Sequence, residues 1–108
     1  MEAEIKNQVV FNSEEEIISL SKYLLKNNGV LAMVHRTDRL IEIISLYQKY
    51  GLEIKKIRFI YPKVGFESNL VLIDGHKNGK SGLKILPPLY VHNDNSEYTE
   101  EILKMFGK

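Results

Sequence analysis

Val30-Leu31-Ala32-Met33-Val34 is a run of five residues without a polar side chain, and Leu70-Val71-Leu72-Ile73 is a second such run. Successive side chains of a strand point to opposite sides of its sheet, so unbroken apolar runs suit strands covered on both faces. Around these runs the period changes to that of helices. Ser13-Glu14-Glu15-Glu16 is a capping-box pattern: the Ser13 hydroxyl accepts from the backbone N–H three residues on, Glu16 reaches back, and the acidic turn suits the positive end of a helix dipole. Ile17, Leu20, Ser21, Leu24 and Leu25 then recur at helical spacing as far as Asn27-Asn28-Gly29, where Gly29 is the expected left-handed cap. Thr37 or Asp38 can cap a second helix, whose Leu40, Ile41, Ile43, Ile44, Leu46 and Tyr47 form an apolar stripe ending at Tyr50-Gly51. A chain that alternates in this way is α/β.

The remaining segments extend the pattern. Val30 to Val34 is expected to be a buried parallel strand. Ile54 to Tyr61 places Ile57, Phe59 and Tyr61 on one side and Lys56 and Arg58 on the other, which predicts a strand near an edge, ended by Pro62. The short link Lys63-Val64-Gly65-Phe66-Glu67 returns the chain to Asn69–Ile73, so this pair is antiparallel. Asp74-Gly75 and Asn78-Gly79 mark a turn region, Leu83 to Leu86 and Leu89 to Val91 are short extended pieces around Pro87-Pro88, and Tyr98 to Phe106 is a last helix closed by Gly107.

At 108 residues the chain is one small domain, below the roughly 200 that a complete cofactor-binding doubly wound sheet occupies. Its apolar fraction of 44% and charged fraction of 27% are those of ordinary globular proteins. A net charge of +1 excludes nothing, but the distribution is uneven. Lys55, Lys56, Arg58, Lys63, Lys77, Lys80 and Lys84 face only Glu67 and Asp74 over the stretch 55–84, while both ends are acidic. The absence of Cys removes disulfides, thiolate nucleophiles and Cys-based metal sites, and fits a reducing, cytoplasmic setting. Met1-Glu2-Ala3-Glu4 has no signal-peptide character, no run is long enough to span a bilayer, and no membrane role is expected. His35, His76 and His92 lie far apart, so no metal site is expected. Gly79-Lys80-Ser81 lacks the upstream Gly of a phosphate loop, no Gly-x-Ser-x-Gly elbow occurs, and Asp74 to Lys80 lacks the late Glu of a calcium loop.

Three strings are more specific: Val34-His35-Arg36-Thr37-Asp38-Arg39-Leu40, then Tyr61-Pro62-Lys63, then Gly82-Leu83-Lys84-Ile85-Leu86-Pro87-Pro88-Leu89. In this order the stretch from about Ser13 to Gly107 resembles the C-terminal half of class I S-adenosylmethionine-dependent methyltransferases of the tRNA (valine) adenine-N6 type, with Thr37 where that family has Pro. The resemblance implies a partial Rossmann-like sheet in the order helix, strand, helix, strand, antiparallel strand, the last strand folding back between its two predecessors. It also implies S-adenosylmethionine as the cofactor of the intact enzyme and tRNA as its partner. The chain contains neither a Gly-rich cofactor loop nor an Asn-Pro-Pro-aromatic motif. It therefore reads as lacking the N-terminal cofactor-binding half, with residues 13–108 the C-terminal half and residues 1–12 an extension. No catalytic, cofactor-binding or metal residue is expected in it, and alone it is expected to be inactive.

Leu86-Pro87-Pro88-Leu89-Tyr90 imitates the amine-binding motif, but Leu86 has no side-chain acceptor for an amino group, so this stretch reads as a structural Pro-Pro corner. The candidates for RNA contact are Arg36, Arg39, Arg58, Lys63 and Lys84. Residues just past the carboxyl ends of strands line the crevice of open α/β sheets, so His35 and Arg36 either face the ligand or serve locally, Arg36 pairing with Asp38 or Glu42 and His35 capping or packing. The basic residues from Lys55 to Lys84 either meet tRNA phosphates or keep an edge strand solvated. Tyr61, Tyr90 and Phe66 either stack on bases or pack at strand ends. A non-catalytic RNA- or partner-binding α/β domain is the alternative to a methyltransferase fragment. In a sheet lacking its first half, the Val30 to Val34 strand has a bare edge. That edge predicts a homo-oligomer, formed through it or through the adjacent helices, unless an N-terminal strand over Ile5 to Phe11 covers it.

Overall fold

In a computed structural model, residues 2–4 and 13–107 are described. They form β1 (Glu2–Glu4), α1 (Glu14–Leu24), β2 (Val30–Arg36), a 3-10 turn (Thr37–Arg39), α2 (Leu40–Lys49), β3 (Leu52–Tyr61), β4 (Leu70–Lys77), β5 (Lys84–Ile85), β6 (Leu89–Tyr90) and α3 (Glu100–Met105). The sheet order is β1-β2-β4-β3-β5, with β6 also paired to β3. Because β4 is antiparallel to both β2 and β3, those two strands run parallel, and β5 and β6 run parallel to β3. The last long strand thus folds back between its two predecessors, the arrangement expected from the sequence, in a partial Rossmann-like α/β sheet.

Cross-strand partners share a face of a sheet. Met33, Ile73 and Ile57 are in register, and they pack with Leu31 and Val71 against Ile17 and Ile18 of α1 and Ile43 and Tyr47 of α2. This is the core. The opposite face holds Ala32, Val34, Leu70 and Leu72, all half-buried, with Val30 41% exposed. The apolar runs are therefore not covered on both faces as expected; burial alternates along β2 and β4 because α1 and α2 pack on one side only. On the second face Leu89, in register with Ile60, is buried. Arg58, in register with Leu72, pairs there with Glu101 of α3, whose Ile102 is also buried.

Several local expectations change. The left-handed cap expected at Gly29 is not formed: α1 ends at an extended Leu25, whose N–H donates to the Ser21 carbonyl, and the left-handed residue, Asn28 at φ 64°, lies in the turn beyond it. Gly29 is needed for space, since a Cβ there would lie 2.9 Å from the Lys26 carbonyl oxygen. Neither Thr37 nor Asp38 caps α2, which is entered through the 3-10 turn without a side-chain cap; the Thr37 hydroxyl instead bonds that of Ser68 at 2.9 Å. Asp74-Gly75 is not a turn but lies within β4. The Ser13 cap is present, its hydroxyl accepting from the Glu16 N–H at 3.2 Å, and Thr99 caps α3, which starts at Glu100, two residues after the expected start.

The exposed edge of β2 carries β1, antiparallel, with Glu2 opposite Val34, Ala3 opposite Met33 and Glu4 opposite Ala32. The covering strand expected over Ile5 to Phe11 lies outside the described residues.

Candidate functional site

The parallel strands β2, β3 and β6 end on one rim of the sheet, at Arg36, Tyr61 and Tyr90. In open α/β sheets this is where side chains escape the helix layers and meet ligands. The sequence put His35 and Arg36 just beyond the strand, whereas β2 includes both, so strand alternation separates them. His35 turns to the helix-covered side and is 7% exposed. Its Nε2 lies 2.8 Å from Glu14 Oε1 of α1, a bond in which the ring N–H donates to the carboxylate. Its Nδ1 is buried without a partner among the described residues. His35 thus docks a helix and does not face the rim. The Glu14 carboxyl is held below the usual carboxylate range, chiefly by its own backbone N–H at the amino end of α1, against burial and with help from His35 and Arg39.

Arg36 is exposed and pairs with Asp38, the closer of its two expected partners. Arg39 forms a two-nitrogen contact with Glu42, at 2.6 and 3.0 Å, and approaches Glu14 at 3.8 Å. Lys63 stands half-buried in the link after β3, at the same rim. Arg58 and Lys84 belong elsewhere. The Arg58 Nε donates to the Pro87 carbonyl at 3.0 Å, which gives the Pro-Pro corner a structural contact, and its Nη2 pairs with Glu101. Lys84 is exposed beside Lys56, which stands opposite Asp74 on the second face.

The basic stretch 55–84 therefore divides. Lys56, Arg58 and Lys84 share the second face, Lys55 Nζ donates to the Lys80 carbonyl at 2.7 Å, and Lys77 Nζ donates to the Leu25 carbonyl at 2.8 Å. The last contact is favourable because the carboxyl end of α1 carries partial negative charge.

Two ring pairs occupy the rim. Tyr61 and Tyr90 are 5.4 Å apart between centroids, and His92 and Tyr98 stack at 5.0 Å and 20°. In the sequence neither His92 nor Tyr98 stands out as a contact for a ligand, and Tyr98, expected to open the last helix, instead pairs with His92 in an antiparallel bridge. The signal for them is the turn cluster Asn93-Asp94-Asn95-Ser96 between them. There the Asn93 side chain accepts from the Asn95 and Glu97 N–H groups, and Ser96 takes a φ of 60°. This closes the loop and returns Tyr98 onto His92. Phe66, in the neighbouring link, is 61% exposed.

Glu14 and Asp38, acidic side chains beside the rim, are occupied by His35 and Arg36. A cavity of about 160 Å³ between α2 and β3, lined by Ile44, Gln48, Glu53, Ile54, Ile57 and Leu83, is smaller than ligand pockets of roughly 300 Å³ or more. Among the described residues no three His, Asp or Glu side chains are grouped to hold a metal ion. No described helix is long and apolar enough to cross a membrane.

No protein-family model matches the sequence, and no curated protein does. Among solved structures, one described as a predicted O-methyltransferase, protein Atu636 from Agrobacterium tumefaciens, superimposes with a TM-score of 0.75 at 22% identity. The match covers 87% of this chain and 45% of that one, so the chain spans less than half the length of its structural neighbour. The sheet of this chain, with its returning strand β4, has the fold of part of that structure.

Proposed function

We propose that this chain is the C-terminal half of an S-adenosylmethionine-dependent methyltransferase that modifies N6 of a tRNA adenine in the cytoplasm, and that it is inactive alone. The observation that carries the reading is β4 lying between β2 and β3, in a sheet with the fold of a methyltransferase. The strings around His35-Arg36 and Leu83 to Leu89 add the N6 and tRNA assignment. In this reading S-adenosylmethionine is held by the other half of the sheet, and the present chain supplies a wall of the RNA site at its rim, with Arg36, Arg39 and Lys63 nearest. Arg58 and Lys84 reach RNA only around the edge of β5.

Two measurements test this. Calorimetric titration of the 108-residue chain with S-adenosylmethionine should give no heat; a micromolar Kd would overturn the half-domain reading. Deleting its coding sequence should remove one N6-methyladenosine from digested tRNA, and unchanged nucleoside profiles would overturn the assigned reaction. The two ring pairs at the rim favour a second reading as a non-catalytic RNA-binding domain. That reading predicts tRNA binding without any change in methylation.

A further inference from the structure

We infer that the ring pairs Tyr61–Tyr90 and His92–Tyr98 form a stacking platform for unpaired bases of single-stranded RNA. The two pairs stand at the carboxyl end of β3 and β6 and are joined through one stretch of chain, Tyr90 and His92 being two residues apart. Tyrosines buried as packing usually find partners for their hydroxyls. Here Tyr98 is 56% exposed, Tyr61, Tyr90 and His92 are half-buried, and none of the three tyrosine hydroxyls is hydrogen-bonded among the described residues.

The platform is fixed before any ligand arrives. Val91 N donates to the Tyr61 carbonyl and His92 N to the Pro62 carbonyl, each at 2.9 Å. Asn93 N donates to the Glu97 carbonyl at 2.8 Å, and the Thr99 hydroxyl to the Tyr90 carbonyl at 2.7 Å. Rings held in place lose little entropy on binding. Every base has a π face, so such a surface takes unpaired nucleotides with little regard to sequence, and it rejects a duplex whose bases are already stacked. Asp94 and Glu97 lie in the loop between His92 and Tyr98, so stacking rather than phosphate attraction carries the contact. RNA is chosen over other aromatic ligands on the strength of the tRNA reading above, and the inference rests on that reading to this extent.

The test is fluorescence titration of the full chain with a single-stranded oligoribonucleotide of about 12 nucleotides, and with the same sequence as a duplex. The chain has six Tyr and no Trp, so quenching of tyrosine emission reports stacking directly. The single strand should bind more tightly than the duplex. Tyr98→Ala and His92→Ala should each weaken it by about 5- to 150-fold, the range for losing one stacked base. The loss should be the same factor at every salt concentration, because no phosphate contact is removed. Tyr98→Phe should keep the affinity, which separates a lost ring from a disturbed loop. Duplex preference, no binding of the single strand, or wild-type affinity in Tyr98→Ala would overturn the platform. If single-strand binding depends on Tyr98 while tRNA methylation survives loss of the gene, the platform stands and the methylation reading falls. If methylation is lost with the gene but Tyr98→Ala binds normally, the platform falls alone.

Discussion

Tyr47 is fully buried in the core yet brings a hydroxyl with it. The side chain is tolerated there because its O–H donates to the carbonyls of Leu31 and Ile73, at 3.2 and 3.3 Å. Burial pushes its pKa far up, and the nearby Asp74 charge adds to that, so the phenol stays neutral. The ring fits only because Gly75 is beneath it: a Cβ on Gly75 would lie 2.3 Å from Tyr47 Cε2. Gly75→Ala should therefore destabilise the protein by about 1–3 kcal/mol through overpacking, and Tyr47→Phe by about 1 kcal/mol through the lost hydroxyl bonds. Chemical denaturation measures both. Combining Gly75→Ala with Tyr47→Ala should cost less than the two single changes added, because the clash is shared. An unchanged midpoint for Gly75→Ala would mean that the ring moves aside at no cost. Nothing local in the sequence announces this contact, since Asp74-Gly75 is also a good turn dipeptide and the deciding ring is 28 positions earlier. The rim is similar: Tyr61 and Tyr90 are visible as residues, whereas the His92–Tyr98 stack depends on how a turn closes.

At the scale of elements, α1 was most legible at its start, which is written in four adjacent residues; its inward face is Ile17, Ile18 and Ser21, while Leu20 and Leu24 of the expected stripe are exposed. The same acidic turn also fixes the helix to its neighbours, which sequence spacing cannot reveal. Glu14 meets His35 of β2, and Glu15 accepts from Lys49 at the end of α2 and from the hydroxyl of its C-cap Tyr50, each at 2.7 Å. Glu15 is held below its usual pKa, by Lys49 first and Tyr50 second, and Glu14 is lowered as described. A carboxylate with a depressed folded pKa stabilises fully above its unfolded value and loses that contribution as pH falls through the folded one. Stability should thus decline as pH drops below about 4.3, the unfolded glutamate value. Glu14→Gln should flatten that decline, as thermal melts across this range would register; an identical acid limb would exclude Glu14 as a contributor. Ser13→Ala, which removes the cap, should cost about 1 kcal/mol at neutral pH. The second helix was less legible, because Thr37 could cap but is committed to Ser68 in the turn before β4, 31 positions away.

For the whole molecule, the composition of β2 and β4 foretold a sheet with helices on both sides, and the chain supplies a full helical layer for only one. That excess of apolar residues is legible as sequence, and its meaning becomes visible only in the half-buried face of Ala32, Val34, Leu70 and Leu72. The edge of β2 follows the same logic. A homo-oligomer through Val30 to Val34 and the strand β1 would compete for the same backbone groups of Ala32, Met33 and Val34, so one excludes the other. Occupation by Glu2–Glu4 therefore predicts that the intact chain does not associate through this edge, and that removing residues 1–12 exposes it. Each backbone group left unpaired there would cost about 1–3 kcal/mol if it stays out of water, which a second copy could recover by pairing edge to edge. Sedimentation equilibrium of the shortened chain should show a larger average mass than the intact one at equal concentration. Equal masses would mean that water satisfies the edge well enough, and that β1 contributes little to keeping copies apart.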